Sequence, residues 1–279
     1  MSRSPNTDTG LPEAGRHGLV TGGSSGLGLA IARAAVRDGM RLTIVGRDAQ
    51  RLEEAAQSLR RERPGAVVAA AQADLAVDGE PRRVADEASL QQPLDFVCHA
   101  AGLSTRGRLV DTPRSEHERL MAINFFAAAE LAAATGEALA QRGGRLVLIG
   151  SLATFVAPAF LGAYPASKHP LAALAQQLRL ELGPQGLRTL LVCPGPIARN
   201  DAGHRYDEQA ARLPEAARQP GGGAKVKALD PGRLAQQILA DSRRGRRELI
   251  APNKARLLFA LCRLAPAWGD RLLQRSTRG

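Results

Sequence analysis

HGLVTGGSSGLGLAIARAAV, residues 17–36, decides the fold. Its first five residues are a short apolar run of strand type, and LAIARAAV at its end repeats apolar residues at helical spacing. Between them lies TGGSSGLG, residues 21–28. A glycine-rich turn between a strand and a helix start is the setting in which such glycines hold a dinucleotide pyrophosphate. Gly22 permits the tight turn, Gly26 lets backbone approach the anion, and Gly28 lets helix and strand pack closely. The helix N-terminus adds N–H donors and a partial positive charge. A merely flexible turn would not need three glycines so placed.

The alternation continues along the chain. Strand-like runs follow at RLTIV (41–45), AVVAAAQ (66–72), LDFVCH (94–99), RLVLIG (145–150), LRTLLVC (187–193) and RELIA (247–251). Helical patterns lie between them. Asp48 reads as the N-cap of 49–61, Thr112 with Pro113 opens a helix to about 141, and Asp230 with Pro231 caps 231–243. Seven strands alternating with six helices predict right-handed βαβ units. The fold class is therefore α/β, a doubly wound Rossmann fold whose seven-stranded parallel sheet is covered by helices on both faces. Residues 1–16 are expected to be a disordered tail and 17–252 a single domain. Residues 196–229 form a long polar insertion, expected on the substrate side, and 253–279 a basic extension.

Composition narrows the function classes. With 44% hydrophobic and 23% charged residues the chain is of ordinary globular type. The first residues hold no apolar run of signal-peptide type, and no stretch is long and apolar enough to span a bilayer. Three widely separated cysteines, Cys98, Cys193 and Cys262, suit a reducing cytoplasm. The net charge of +11 is uneven, with +7 falling in residues 241–279. No nucleic-acid-binding signature accompanies it, so no nucleic-acid partner is expected.

Later landmarks fall in one order: Asp74-Leu75, HAAG at 99–102, Asn124 in INFFAAAE, Ser151 after a strand, Tyr164-x-x-x-Lys168, and Pro194-Gly195. With Gly22-x3-Gly26-x-Gly28, this set closely resembles the short-chain dehydrogenase/reductase family, over about residues 17–252. The resemblance implies a catalytic set of Asn124, Ser151, Tyr164 and Lys168. It implies a cofactor site formed by Gly22, Ser24, Ser25, Gly26, Leu27, Gly28, Arg47, Asp74, Leu75, Ala100, Gly102, Tyr164, Lys168, Pro194, Gly195 and Ile197. It further implies a small-molecule carbonyl or alcohol substrate and assembly as a homodimer or homotetramer.

The Tyr–Lys pair has a physical logic. Only four of 38 basic residues are lysine, yet lysine stands four positions after one of two tyrosines. Residues four apart share a helix face, so the Lys168 ammonium lies beside the Tyr164 phenol. Lowering a phenol pKa by about 3 units takes roughly 4 kcal/mol of preference for the anion. A compact ammonium and a cationic nicotinamide both supply such preference. By the resemblance, Lys168 also binds the nicotinamide ribose, Tyr164 is the general acid or base, Ser151 donates to the substrate oxygen, and Asn124 holds a water linked to Lys168.

Cofactor choice turns on IVGRDAQRLEE, residues 44–54. Gly46 stands where relatives using NAD commonly carry an acid, and Asp48 is explained as a helix cap. Arg47 can fork onto a 2′-phosphate, which favours NADP(H). Asp74 has two readings, adenine contact by resemblance or the cap of a turn. Three departures stand out: His99 for a usual asparagine, Arg199 for a common threonine, and Pro170 inside the helix of Lys168, where an interior proline costs about 3 kcal/mol.

The expected function is reduction of a ketone or aldehyde, with TGGSSG and ERLMAIN similar to segments of relatives that reduce lipid-derived ketones. The alternatives are a 3-oxoacyl-thioester reductase and a non-catalytic NADP(H) sensor. In the extension 254–278, Arg256, Ala260 and Arg263 share one helix face while Leu257, Leu258, Leu261 and Leu264 spread over the other. These leucines suit a subunit interface, the rim of the substrate cleft, or peripheral membrane contact.

Overall fold

In the computed structural model, residues 13–198, 213–214 and 227–277 are described. Seven strands form one parallel sheet: β1 His17–Thr21, β2 Arg41–Gly46, β3 Val68–Gln72, β4 Phe96–His99, β5 Arg145–Ile149, β6 Arg188–Pro194 and β7 Glu248–Ala251. Their order is β3-β2-β1-β4-β5-β6-β7. The direction of winding reverses between β1 and β4, which opens a crevice at the strand C-termini.

Both sheet faces are covered, so the strands lack a polar side. On one face, Leu19, Val97, Leu146, Leu148 and Leu191 pack against helices α3 (Glu80–Gln91), α5 (Ala127–Gln141) and α7 (Pro170–Glu181). Their strand neighbours Val20, Phe96, Val147 and Leu190 point the other way. They meet α1 (Gly26–Arg37), α2 (Ala49–Arg61) and α8 (Pro231–Arg243).

Asp48 and Asp230 cap α2 and α8 as their sequences predict, accepting from the N–H groups of Arg51 and Arg233 at 3.0 and 2.7 Å. Thr112 does not cap: its hydroxyl donates back to the Arg108 carbonyl at 2.8 Å, and Pro113 stands at the N-cap of α4 (Arg114–Met121). Between α4 and α5, a π-helical turn over Ala122–Phe126 interrupts the expected continuous helix. Pro170 breaks no helix interior. It stands at the first position of α7, with α6 (Tyr164–Lys168) ending just before it and His169 still helical between them.

The boundary at residue 17 needs correction. Glu13 is 5% exposed and clamps Arg145, itself 1% exposed, through two bonds of 2.8 and 2.7 Å. Residues 13–16 thus belong to the packed structure. A cation buried at the start of β5 requires an anion, and the chain preceding β1 supplies it.

After β7 the chain forms a helical hairpin, α9 (Ala255–Leu264) and α10 (Pro266–Thr277). The helices close at Gly269, where a Cβ would lie 2.7 Å from the Cys262 Cα. The expected single leucine face divides here. Leu258 turns inward with Ala255, Phe259 and Cys262, whereas Leu257, Leu261 and Leu264 remain outside. Among the described residues, no helix is long and apolar enough to cross a membrane.

Candidate active site

The glycine loop leaves β1 at the crevice. Gly22 adopts φ 65°, and a Cβ there would meet the backbone nitrogen of Ala101 at 2.8 Å. A Cβ on Gly28 would collide with the Gly22 carbonyl oxygen. Gly26, with φ 53°, opens α1. Ser25 is its N-cap yet makes no side-chain cap bond. The first-turn N–H groups, with Ser24, Leu27 and Gly28 around them, therefore form a cradle of donors fit for a pyrophosphate.

The neighbouring strand exits complete this cradle. Ala100 and Ala101 donate their N–H groups to Thr21 Oγ1, each at 3.2 Å. The Thr21 hydroxyl faces His99 Nδ1 at 3.1 Å, and His99 Nε2 lies 3.2 Å from the Ile123 carbonyl. Since that carbonyl can only accept, the proton sits on Nε2, and Nδ1 accepts from Thr21. Burial, reinforced by the Lys168 charge, lowers the His99 pKa to about 3. The histidine is therefore a neutral brace between β1, β4 and the π-turn. The sequence reading missed Thr21, whose position at the strand end was its only signal.

At the end of β2, a Cβ on Gly46 would lie 3.0 Å from Ser24 Oγ. Arg47 is exposed beside it, and its carbonyl accepts from Gln72 Nε2 at 3.0 Å. Asp74 Oδ1 accepts from the Ala76 N–H at 3.1 Å, which makes it the cap of the turn; Leu75 is buried behind it. Gly195 donates to the Ala251 carbonyl at 2.7 Å, and Ile197 bridges Leu229. These contacts fix the Pro194–Ile197 backbone beside the β6 exit. Arg199 and most of the 196–229 insertion lie outside the described residues.

The reacting set converges from three elements. Tyr164 is half-buried at the start of α6, one turn before Lys168, which is 4% exposed. The Lys168 ammonium donates to the Ile149 carbonyl at 2.9 Å, and burial lowers its pKa to about 8. Among the described residues, the groups acting on that charge include no carboxylate. Ser151, two residues past Ile149, accepts from the Ala153 N–H at 3.1 Å, which leaves its own O–H to donate outward.

Asn124 lies in the π-turn, and its side chain joins the loop after β4 to α6. Its Oδ1 accepts from Leu103 N at 3.0 Å; its Nδ2 donates to Leu103 O and to Ser167 Oγ, each at 2.9 Å. Ser167 Oγ in turn donates to the Tyr164 carbonyl at 2.8 Å. A Cβ on Gly102 would stand 2.8 Å from Asn124 Oδ1 and 3.3 Å from Lys168 Nζ, so a side chain there must displace one of these two groups. Ahead of Tyr164, Phe160 holds a left-handed φ of 65°. Its carbonyl accepts from Gly107 N at 3.1 Å, and Gly162 N donates to Gly107 O at 3.0 Å. Ser167, Phe160 and Gly107 are site-positioning residues that no motif in the sequence marked. Among the described residues, no cluster of ligands for a metal is present.

Comparison with known proteins places this geometry. A family model for short chain dehydrogenase matches residues 16–210. The 1-deoxy-11-beta-hydroxypentalenate dehydrogenase of Streptomyces exfoliatus is 33% identical over 233 residues, covering 82% of this chain and 81% of that one. Dehydrogenase/reductase SDR family member 7B of Bos taurus is 34% identical over 188 residues, or 65% of this chain. The match spans 58% of that relative's length and 61% of its Danio rerio counterpart. Among solved structures, a blue fluorescent protein from a metagenomic library, in complex with NADPH, superposes with TM-score 0.73 at 27% identity, covering 86% of this chain and 98% of that one. A short chain dehydrogenase from Burkholderia cenocepacia J2315, in complex with NADP, gives TM-score 0.75 at 27% identity, covering 88% and 100%.

Proposed function

The chain belongs to the short-chain dehydrogenase family, and from that premise we propose that it is an NADP(H)-dependent oxidoreductase that reduces a ketone or aldehyde to an alcohol. When bound, the nicotinamide supplies a hydride to the carbonyl carbon. Tyr164 gives its phenolic proton to the carbonyl oxygen, and takes a proton from the alcohol in the reverse direction. The Ser151 O–H donates to the same oxygen as negative charge grows there. Lys168 stabilises the phenolate that Tyr164 becomes. The cradle from Gly22 to Gly28 holds the pyrophosphate, and Arg47 with Ser24 receives the 2′-phosphate. Solved relatives bound to NADPH or NADP support the cofactor choice.

One observation carries this reading. Lys168 is buried one helical turn from a tyrosine, and among the described residues no carboxylate acts on it. A buried ammonium is costly unless an anion joins it, and a phenolate on Tyr164 is that anion. Leu103, Leu152 and Phe155, partly buried at the same strand ends, favour an apolar or lipid-like substrate. Three free cysteines suit the cytoplasm, and Phe126 and Leu180 offer exposed apolar surface to a second copy in a homo-oligomer.

The decisive experiment is Tyr164→Phe. Loss of the proton donor lowers turnover at least about 100-fold while NADPH binding by fluorescence titration stays near wild type. A variant keeping more than a few per cent of the rate on its best substrate overturns the mechanism. A panel of simple ketones, lipid ketones and 3-oxoacyl thioesters, read by NADPH oxidation, identifies the substrate class.

A further inference from the structure

The C-terminal hairpin presents three distinct faces. On α9, Ala255, Leu258, Phe259 and Cys262 pack inward, and the Phe259 ring lies 5.0 Å from that of Phe155. Phe155 follows Ser151 by four residues, so the hairpin rests on the segment just beyond the reacting serine. Facing out are Leu257 at 77% exposure, Leu261 at 36% and Leu264 at 86%, continued on α10 by Trp268 at 66% and Leu272 at 47%. Within α9 the outward positions fall at spacings of four and three, and within α10 at four, so each helix carries one apolar stripe. Five of the chain's exposed large apolar side chains thus fall within sixteen residues.

The stripe is bordered by cations. Lys254, Arg256, Arg263, Arg271 and Arg275 are all exposed; the hairpin's own acid is Asp270, Arg256 also pairs with Glu248 of β7 at 3.9 Å, and the Arg271 guanidinium lies 5.6 Å over the Trp268 ring. We propose that α9 and α10 are an interfacial anchor that seats the protein on an anionic lipid surface. Leucines and the tryptophan enter the headgroup boundary, while arginine stems run along them and the guanidiniums meet lipid phosphates. Charge decides against a second copy as the occupant. A two-fold interface built on this stripe would set each copy's cations against the same cations of its partner. Neither helix is long enough to span, so the contact is peripheral. The anchor stands on the hairpin's surface alone; only its link to delivery of an apolar substrate rests on the reductase reading.

The test uses the full chain and vesicles of phosphatidylcholine, with or without an equal part of phosphatidylglycerol. Wild type cosediments with the anionic vesicles at low salt, less at moderate salt, and little with phosphatidylcholine alone. Leu257→Ser/Leu264→Ser/Trp268→Ser and, separately, Arg256→Gln/Arg263→Gln/Arg271→Gln each lower partitioning at least about tenfold. Turnover of a water-soluble carbonyl with NADPH stays unchanged in both. No wild-type binding to anionic vesicles, or undiminished binding by the apolar variant, overturns the anchor. So does a wild-type dimer, seen by sedimentation velocity, that the apolar variant dissolves without any lipid binding. Vesicle binding without any carbonyl turnover leaves the anchor standing and removes the reductase instead.

Discussion

The Lys168 ammonium is hydrogen-bonded to the carbonyl of Ile149, two residues before Ser151 on the same strand exit. One strand end therefore fixes the heights of both the cation and the oxygen-binding hydroxyl. The cation is kept at a cost. Burial lowers its pKa to about 8 from 10.5, a penalty on the order of 3 kcal/mol at neutral pH. The folded state binds this proton less tightly than the unfolded chain, so the penalty is full below pH 8 and fades as pH rises toward 10.5. Lys168→Met is expected to abolish turnover and weaken NADPH. Its urea midpoint at pH 7 equals or exceeds wild type, after allowance of about 1–3 kcal/mol for the unpaired Ile149 carbonyl. Between pH 8 and 10.5 wild type gains on the variant. A variant clearly less stable at pH 7, with no such convergence, contradicts the assigned burial cost.

His99 creates the opposite exposure to acid. Its folded pKa of about 3 lies below the ordinary 6.5, so the unfolded chain takes up the proton first as pH falls. Stability is lost through that window, by about 2–3 kcal/mol between pH 6.5 and 4.5 from this residue alone. His99→Asn removes the titration while keeping a donor and an acceptor between Thr21 and Ile123. Chemical denaturation at pH 7 and 4.5 should show a smaller drop for the variant than for wild type. Equal drops would mean that His99 is not the acid-labile brace.

Glu13 and Arg145 test the corrected start of the fold. Glu13→Ala leaves a fully buried guanidinium without its carboxylate, an expected loss of about 3–5 kcal/mol. Glu13→Ala/Arg145→Met should recover part of it, because an apolar chain suits the Phe96 ring that Arg145 now covers at 5.2 Å. The pair lies at the strand N-termini, so kcat at a temperature where the variants remain folded stays near wild type. No loss in the single variant would restore residues 13–16 to a dispensable tail.

What could be read in advance, and what could not, follows from range. Capped helices and buried strands are set by local chemistry, so Asp48, Asp230 and all seven strands were visible in the sequence. Pro170 was misread because a helix start and a helix interior look alike until the break after Lys168 is known. The partners of Asn124, His99 and Arg145 lie 21 to 132 residues away, and no local pattern specifies them. Asp74 Oδ1 is engaged by its own turn, a cap that the local sequence already offered. The leucines of 257–264 were seen to be amphipathic, but only the fold shows that Leu258 turns inward while Leu257, Leu261 and Leu264 stay exposed.

Under the proposed function, Arg47 is the residue expected to select between the two nicotinamide cofactors. It follows Gly46 at the end of β2 and lies exposed, with its backbone carbonyl tied to Gln72. A forked guanidinium here gains a charge-assisted bond to a 2′-phosphate, worth about 1.5–3 kcal/mol, or roughly 10- to 150-fold in affinity. Arg47→Ala should weaken NADPH by that factor and leave NADH nearly unchanged. Arg47→Asp goes further, because a carboxylate repels the phosphate and can accept from a free 2′-hydroxyl. Moving the acid one position back is a poorer route. A side chain on Gly46 meets Ser24 Oγ at 3.0 Å and Leu52 at 3.3 Å, so Gly46→Asp should lose NADPH without gaining NADH unless Ser24→Gly makes room. Titrating both cofactors against the four proteins separates these effects. Unaltered NADPH affinity in Arg47→Asp would remove Arg47 as the selector, and efficient NADH use by Gly46→Asp alone would show that Ser24 does not close that position.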